Sequence, residues 1–191
     1  GNISDVQLGV PVAINIENGI AAMALAQLSG VSNEEIKTGM ASFRGVDRRF
    51  DFKIKTDKVV YLSDYAHHPE EIKQSILSMR ALYGDKKLTG IFQPHLYTRT
   101  RDFYQEFAES LSLLDEVILT DIYPARELPI EGVSSQLIYD NLRPDIDKIL
   151  CTKEEVIDIL KKKEIEVLMT LGAGDIENYA PQICEILNER C

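Results

Sequence analysis

Long apolar runs are absent from this 191-residue chain. No stretch approaches the ~20 residues that a membrane-spanning helix needs, and no signal peptide opens it. Cysteine is scarce: Cys151, Cys184 and Cys191 are an odd set without metal-like or paired spacing. That usage suits a reducing cytoplasm and three structural or idle thiols. Positive charge is also in deficit. Lys and Arg number 21 against 31 Asp and Glu, a net charge of −10, which argues against nucleic acid and against an anionic membrane surface. A phosphate-cradling Walker loop, a C-x-x-C pair and a Ser/His/Asp triad are all missing, and no repeat or low-complexity segment occurs. What remains is 45% hydrophobic and 27% charged, ordinary for a globular protein with a full core. The length allows one domain, or one domain plus a fragment. The chain opens Gly-Asn-Ile without Met, so Gly1 reads as a cloning remnant and the whole as a piece of something longer.

Taken in order, residues 10–14 read as a short strand or loop entry. Residues 17–28 read as a helix with Ile20, Met23, Ala24, Gln27 and Leu28 on one face and Gly30 as its stop. Ser32 and Glu35 form a capping box for a second helix burying Ile36, Met40 and Phe43. Two helices on a short turn cannot close a core alone, so residues 1–44 look like the edge of another domain. Gly45 is the pivot of a hinge over 45–50. From Asp51 the pattern changes. A polar–apolar alternation over 51–55 is followed by short apolar runs at 59–62, 88–92, 116–120, 148–151 and 167–171. Helices are expected between and after them, at 69–83, 100–114, 135–142, 153–163 and 176–189. The first has Pro69 at its first position, and Thr152 with Glu155 is another capping box. This alternation predicts an α/β fold, a Rossmann-like, mostly parallel sheet with helices on both faces.

In such sheets, ligands bind beyond the carboxyl ends of the strands. All three histidines fall in two of these loops: His67 and His68 after the first parallel run, His95 after the second. The second loop opens a helix with apolar residues Phe103, Phe107, Leu111 and Leu114, for which Thr98 or Thr100 is the candidate cap. Arg99 and Arg101 sit in its first turn, where the dipole disfavours cations. They mark an anion pocket, or else they pair with Asp102, Glu106 or another local acid. His68 is placed to cap the helix opened by Pro69. His67, His95 and Asp64 are a conceivable metal set, which the nearby arginines oppose. The span from Gly172 to Asp175 is half a phosphate loop, or a tight turn into a helix capped by Asp175. Asp64 suits the two hydroxyls of a ribose or is simply solvated. Arg48 and Arg49 hold a phosphate or sugar across the hinge, or are solvated there. By residue chemistry alone this is an anion-binding α/β domain acting with a partner domain. Two neighbouring strand tips would bring His67, His95 and Arg99 around one hollow.

Four stretches are more specific. Gly45-Val46-Asp47-Arg48-Arg49-Phe50, Asp64-Tyr65-Ala66-His67-His68-Pro69, Gln93-Pro94-His95-Leu96-Tyr97-Thr98-Arg99-Thr100-Arg101 and Leu171-Gly172-Ala173-Gly174-Asp175-Ile176 resemble, in order and spacing, the Mur ligases of peptidoglycan synthesis. The likeness is to the branch of that family that adds L-alanine to UDP-N-acetylmuramate, and it runs over essentially the whole chain. It implies that 1–44 are the last helices of the central ATP-binding domain, 45–50 a hinge, and 51–191 the C-terminal domain. Mur ligases activate the substrate carboxylate with ATP and Mg2+ as an acyl phosphate, which the amine of the amino acid then attacks. The phosphate loop and magnesium ligands belong to the missing part, so the chain alone is expected to be inactive. Carried over by position, Asn18 falls near the adenine, and Arg49 and Asp64 face the ribose. Tyr65, His67, His95 and Arg99 fall on the amino-acid pocket, with Arg99 on the alanine carboxylate and the histidines orienting or deprotonating the amine. No residue is assigned as catalytic and none as a metal ligand. Three positions depart from the pattern: Leu96 where many relatives have arginine, Ile14 where a histidine often stands, and Ser63 in place of an acid. The related ligase that recycles murein tripeptide is the alternative within the family, although residues 93–101 favour the alanine branch. A stand-alone nucleotide- or anion-binding module and a histidine metal hydrolase are alternatives from other classes.

Overall fold

The structure, a computed structural model, describes residues 2–9 and 13–190, with side chains from residue 15 onward in the second stretch. Gly1, residues 10–12 of the expected strand or loop entry, the side chain of Ile14 and Cys191 lie outside the described residues. The chain divides into two units, Gly1–Val46 and Asp47–Cys191.

The first unit pairs α1 (Ala13–Leu28) with α2 (Asn33–Ser42). α1 begins before residue 17, taking in two residues of the expected loop entry. α2 starts on its capping box: the Ser32 hydroxyl accepts the Glu35 N–H at 3.3 Å, and Glu35 accepts the Ser32 N–H at 3.1 Å. Ile36 is buried as expected. The α1 face is not, with Ile20 at 59% and Leu28 at 85% exposure, and Phe43 is also exposed. Two helices have too little surface to cover both stripes. Their close contact is local: a Cβ on Gly19 would lie 2.7 Å from the Met40 methyl.

In the second unit the strands are β1 (Asp51–Lys55), β2 (Val60–Asp64), β3 (Leu88–Phe92), β4 (Glu116–Leu119), β5 (Asp147–Leu150) and β6 (Val167–Leu171). The helices are α3 (Pro69–Leu82), α4 (Tyr97–Leu111), α5 (Gln136–Asn141), α6 (Val156–Lys161) and α7 (Ala180–Asn188), with 3-10 turns leading into α6 and α7. The strands form one sheet in the order β1-β2-β6-β3-β4-β5, with β1 antiparallel to β2 and the rest parallel. The expected mostly parallel α/β sheet is therefore present. Strands β3 and β6 are buried at every position, as strands covered on both faces must be.

α3, α4 and α5 lie side by side on one face, where Phe107 meets Phe92 at 5.2 Å between ring centroids. Both rings are fully buried, so Phe107→Ala would cost about 3–5 kcal/mol. The other face carries Tyr61, Ile91, Ile118 and Leu168 against Val156 and Leu160 of α6 and Ile183 and Leu187 of α7. The Ile72, Ile76 and Met79 stripe of α3 is buried as its spacing predicts. The stripe expected of α4 holds at Phe107 and Leu111 and continues to buried Leu114 past the helix end, while Phe103 (φ −129°) marks a kink and stays partly exposed.

Candidate functional site

Asp64 and Phe92 both pair with Leu171, so β2, β6 and β3 end level. The two histidine loops therefore leave one edge of the sheet, but not from neighbouring strands: β6 lies between β2 and β3. The loops meet above its tip. The turn there is tied to both sides, with the Gly172 N–H on the Asp64 carbonyl at 3.2 Å and the Gln93 N–H on the Leu171 carbonyl at 3.1 Å. Gly172 needs to be glycine. Its φ is +139°, and a Cβ would sit 2.7 Å from the Gln93 carbonyl oxygen.

His67 and His95 stand with ring centroids 6.0 Å apart, and the Tyr65 ring lies 5.2 Å from His67. The His67 Nδ1 is 2.9 Å from the Tyr65 carbonyl and 3.4 Å from a Glu71 carboxylate oxygen. Glu71 also accepts the N–H groups of His67 and His68, at 3.0 and 3.2 Å, which closes the start of α3. His68 is the residue before Pro69, as expected of a cap, and its ring packs 5.2 Å from Phe103. His95 stacks on Tyr123 at 5.7 Å and an interplanar angle of 21°. Its Nδ1 is buried without a hydrogen-bond partner among the described residues. Burial first, then the charges of Arg99 and His67, depress the His95 pKa below 6.5. The neutral form therefore predominates at pH 7.

Arg99 completes the group. An Nη1 is 3.5 Å from the His67 carbonyl, at the limit of a hydrogen bond. Among the described residues no carboxylate comes within the 4.0 Å of an ion pair. Of the two readings open for the arginines, pairing with a local acid holds for Arg101. Arg99 is unpaired, whereas Arg101 is spent on Asp102 at 2.7 Å and does not join the pocket. The expected threonine caps also fail. Leu96 occupies the cap position with φ +75°, the Thr100 hydroxyl donates to the Leu96 carbonyl, and the Thr98 N–H and hydroxyl both donate to Glu127.

Asp64 is committed inward. It accepts the Ser75 hydroxyl at 2.6 Å and the backbone N–H groups of Phe50 and Ala66, and burial raises its pKa above 3.8. Ser63, where an acid was expected, is buried and donates to Glu177. Arg48 and Arg49 flank Tyr65, their guanidinium carbons 4.7 and 5.7 Å from its centroid. Arg48 also donates to the Gly174 carbonyl at 3.2 Å and is not simply solvated, while Arg49 is exposed. Asp175 does not cap the turn after β6. Gly174 holds that position, and Asp175 pairs with Lys153 and accepts the Gln93 amide at 2.7 Å. Asn18 lies on α1 of the first unit, lining a hollow of about 170 Å³ with Leu8, Gly19, Met40 and Phe43. Among the described residues no three His, Cys, Asp or Glu side chains are grouped to hold a metal ion, and no helix is long and apolar enough to cross a membrane.

Gln93, Tyr123 and Glu127 lie in loops expected at the strand ends but carry no individual assignment from sequence, and Ser75 is not singled out there at all. Tyr123 and Glu127 share the loop after β4, which the topology places beside the α4 start. The available signal was the place of residues 121–127 at the carboxyl end of the third apolar run.

Known proteins share both sequence and fold. Residues 48–176 match the family described as Mur ligase, glutamate ligase domain. The UDP-N-acetylmuramate–L-alanine ligase of Phocaeicola vulgatus is 78% identical over 190 residues, 100% of this chain and 42% of that protein. The enzyme of the same name from Porphyromonas gingivalis is 52% identical, again over 42% of its length. The chain thus spans less than half the length of these relatives. The UDP-N-acetylmuramate-alanine ligase of Thermotoga maritima superposes with a TM-score of 0.81 at 26% identity, covering 97% of this chain and 40% of that one. A murein peptide ligase from Psychrobacter arcticus shares the fold alone, at 18% identity and a TM-score of 0.68, over 95% of this chain and 38% of its own. The level strand tips, the paired histidine loops and the matched residues lead to one conclusion: this chain belongs to the Mur ligase family.

Proposed function

We propose that the chain is the amino-acid-binding portion of a cytoplasmic, ATP- and Mg2+-dependent ligase that joins L-alanine to UDP-N-acetylmuramate in peptidoglycan synthesis. On this reading residues 1–44 finish the central ATP-binding domain, 45–50 are the hinge and 51–191 the C-terminal domain. The observation that carries it is Arg99, a partly buried guanidinium with no acid partner among the described residues, beside His95. A guanidinium fork suits a carboxylate, and a charge-assisted bidentate pair is the strong form of that contact. The other end of the incoming amino acid is an ammonium, which must lose a proton before it attacks an acyl phosphate. The neutral His95 has a lone pair for that ammonium, and His67 and Tyr65 wall the same side. Orientation and proton removal use the same lone pair.

For the nucleotide, Arg49 is the exposed cation on the Tyr65 side and is assigned to the ribose. Asp64 has about one of its roughly four acceptor positions left after Ser75, Phe50 and Ala66, enough for one ribose hydroxyl rather than two. Asn18 is assigned to the adenine. The phosphates and Mg2+ fall to the part of the ligase that carries a phosphate loop, since this chain has none. Relatives at 78% and 60% identity share the L-alanine name, which favours that substrate over murein tripeptide.

The deciding experiment is an amino-acid screen with the complete ligase, ATP and UDP-N-acetylmuramate. L-Alanine should give the highest kcat/KM. Preferential use of a peptide would overturn the assignment. In the same enzyme Arg99→Ala should raise the KM for alanine about 10–100-fold, the loss of a charged hydrogen-bonded contact of roughly 1.5–3 kcal/mol, and leave the KM for ATP unchanged.

A further inference from the structure

The first turn of α4 has no cap of its own. Leu96 offers no polar side-chain atom, its φ of +75° is in the left-handed region, and the turn contains Arg99 but no acid. The compensating charge arrives from another strand's loop. Glu127 accepts the Thr98 N–H at 2.9 Å with one carboxylate oxygen and the Thr98 hydroxyl with the other, and the Tyr97 N–H also reaches it. The loop that delivers Glu127 is pinned. The Tyr123 N–H donates to the Pro94 carbonyl at 2.8 Å, the Leu96 N–H to the Tyr123 carbonyl at 3.0 Å, and the Glu127 N–H to the Pro124 carbonyl at 2.9 Å. The Tyr123 ring lies on His95. One loop thus supports His95 through its tyrosine and the arginine-bearing turn through its glutamate.

We propose that Glu127 is a positioning residue for the amino-acid seat, closing the start of α4 from outside so that Arg99 stands beside His95 unpaired. The inference rests on the assignment of His67, His95 and Arg99 to that seat. A glutamate placed within the turn itself would be free to neutralise Arg99. Glu127 instead spends its carboxylate on Thr98, and among the described residues it forms no ion pair with Arg99. It supplies the negative charge that a helix start favours without taking the guanidinium that a substrate carboxylate needs.

The test uses the complete ligase with Glu127→Ala, Glu127→Gln, Arg99→Ala and the double variant Glu127→Ala/Arg99→Ala. Glu127→Ala should raise the KM for L-alanine about tenfold, as expected for losing a helix cap beside the contact. The KM values for ATP and UDP-N-acetylmuramate should change by less than about twofold. Glu127→Gln retains an acceptor oxygen for the Thr98 N–H and should recover most of the loss. Because Glu127 acts through Arg99, adding Glu127→Ala to Arg99→Ala should raise the alanine KM no further. If Arg99→Ala raises the alanine KM and Glu127→Ala does not, Glu127 is only a structural cap: the seat stands and this inference falls. A double variant whose two effects multiply also overturns it. An Arg99→Ala enzyme with unchanged alanine KM removes the seat itself, and the role of Glu127 with it.

Discussion

The Ser75 hydroxyl of α3 donates to the Asp64 carboxylate at the end of β2, at 2.6 Å. This bond works against burial, which raises the Asp64 pKa. A carboxyl whose folded pKa exceeds its unfolded value holds more protons in the native state, so its ionisation costs stability as pH rises above 3.8. Ser75 reduces that cost. Ser75→Ala should therefore destabilise by about 1–3 kcal/mol at pH 7, with the deficit shrinking as pH falls towards 3.8 and the folded-state Asp64 becomes protonated. Urea titrations at several pH values measure it. A deficit independent of pH would mean that Ser75 acts only by packing.

His95 carries the opposite sign. Its folded pKa lies below 6.5, so its contribution to stability is present above 6.5 and is lost as pH falls through the lower folded value. Titration of the ring by NMR should place its midpoint below 6.5. Arg99→Ala removes one of the charges that depress it and should move the midpoint upward. A midpoint that Arg99→Ala leaves in place would separate the two side chains.

Gly174 faces a fixed neighbour. A Cβ there would fall 2.2 Å from the Gln93 Oε1 and 2.8 Å from the Tyr123 Cβ. Gln93 cannot swing away cheaply, because its amide also donates to Asp175 and its oxygen accepts the Ile176 N–H at 3.0 Å. Gly174→Ala should cost about 1–3 kcal/mol, as overpacking does. Thermal melts of the variant beside Gly30→Ala, whose φ is positive but whose surroundings are open, would separate crowding from backbone strain.

At the opposite end of the sheet Glu116 is 2% exposed and meets Lys163, Lys87 at 3.2 Å and the Thr89 hydroxyl at 3.2 Å. Glu116→Ala leaves two lysines facing a void. A broken buried pair costs about 3–5 kcal/mol, and the partial exposure of both lysines brings the expectation to about 2–3 kcal/mol. A loss under about 0.5 kcal/mol, the size of an ordinary surface change, would show that the lysines recover their solvation outside.

The 191-residue chain by itself should form no ATP-dependent product from L-alanine and UDP-N-acetylmuramate, because it contains no phosphate-cradling loop. Radiolabelled alanine incorporation checks this directly.

Strand periods were readable because β2, β3 and β6 are mostly apolar and almost wholly buried, and their ends fell within two residues of the expected places. The gathering of His67, His95 and Arg99 was readable because all three histidines fall in two loops at one sheet edge and Arg99 follows in the first turn of the helix that the second loop opens. The strand order was not readable. Local periodicity says nothing of which strand inserts between two others, and by sequence alone β2 and β3 read as neighbours. The α4 cap was missed for a related reason: caps read from sequence are local, and Glu127 is 29 positions from Thr98. The exposed α1 stripe agrees with two helices that cannot close a core alone, whereas Phe43, expected to be buried, is exposed because an apolar stripe declares a need for cover without supplying the cover.

The central place of β6 has a consequence for biosynthesis. Its two flanking strands are translated long before it, and neither can complete its ladder until Leu171 has cleared the ribosome. Every nascent chain therefore passes through a stage in which β2 and β3 present open hydrogen-bonding edges with no mate. Shielding that gap, by a chaperone or by rapid elongation through the last strand, should govern how much of the protein is recovered folded.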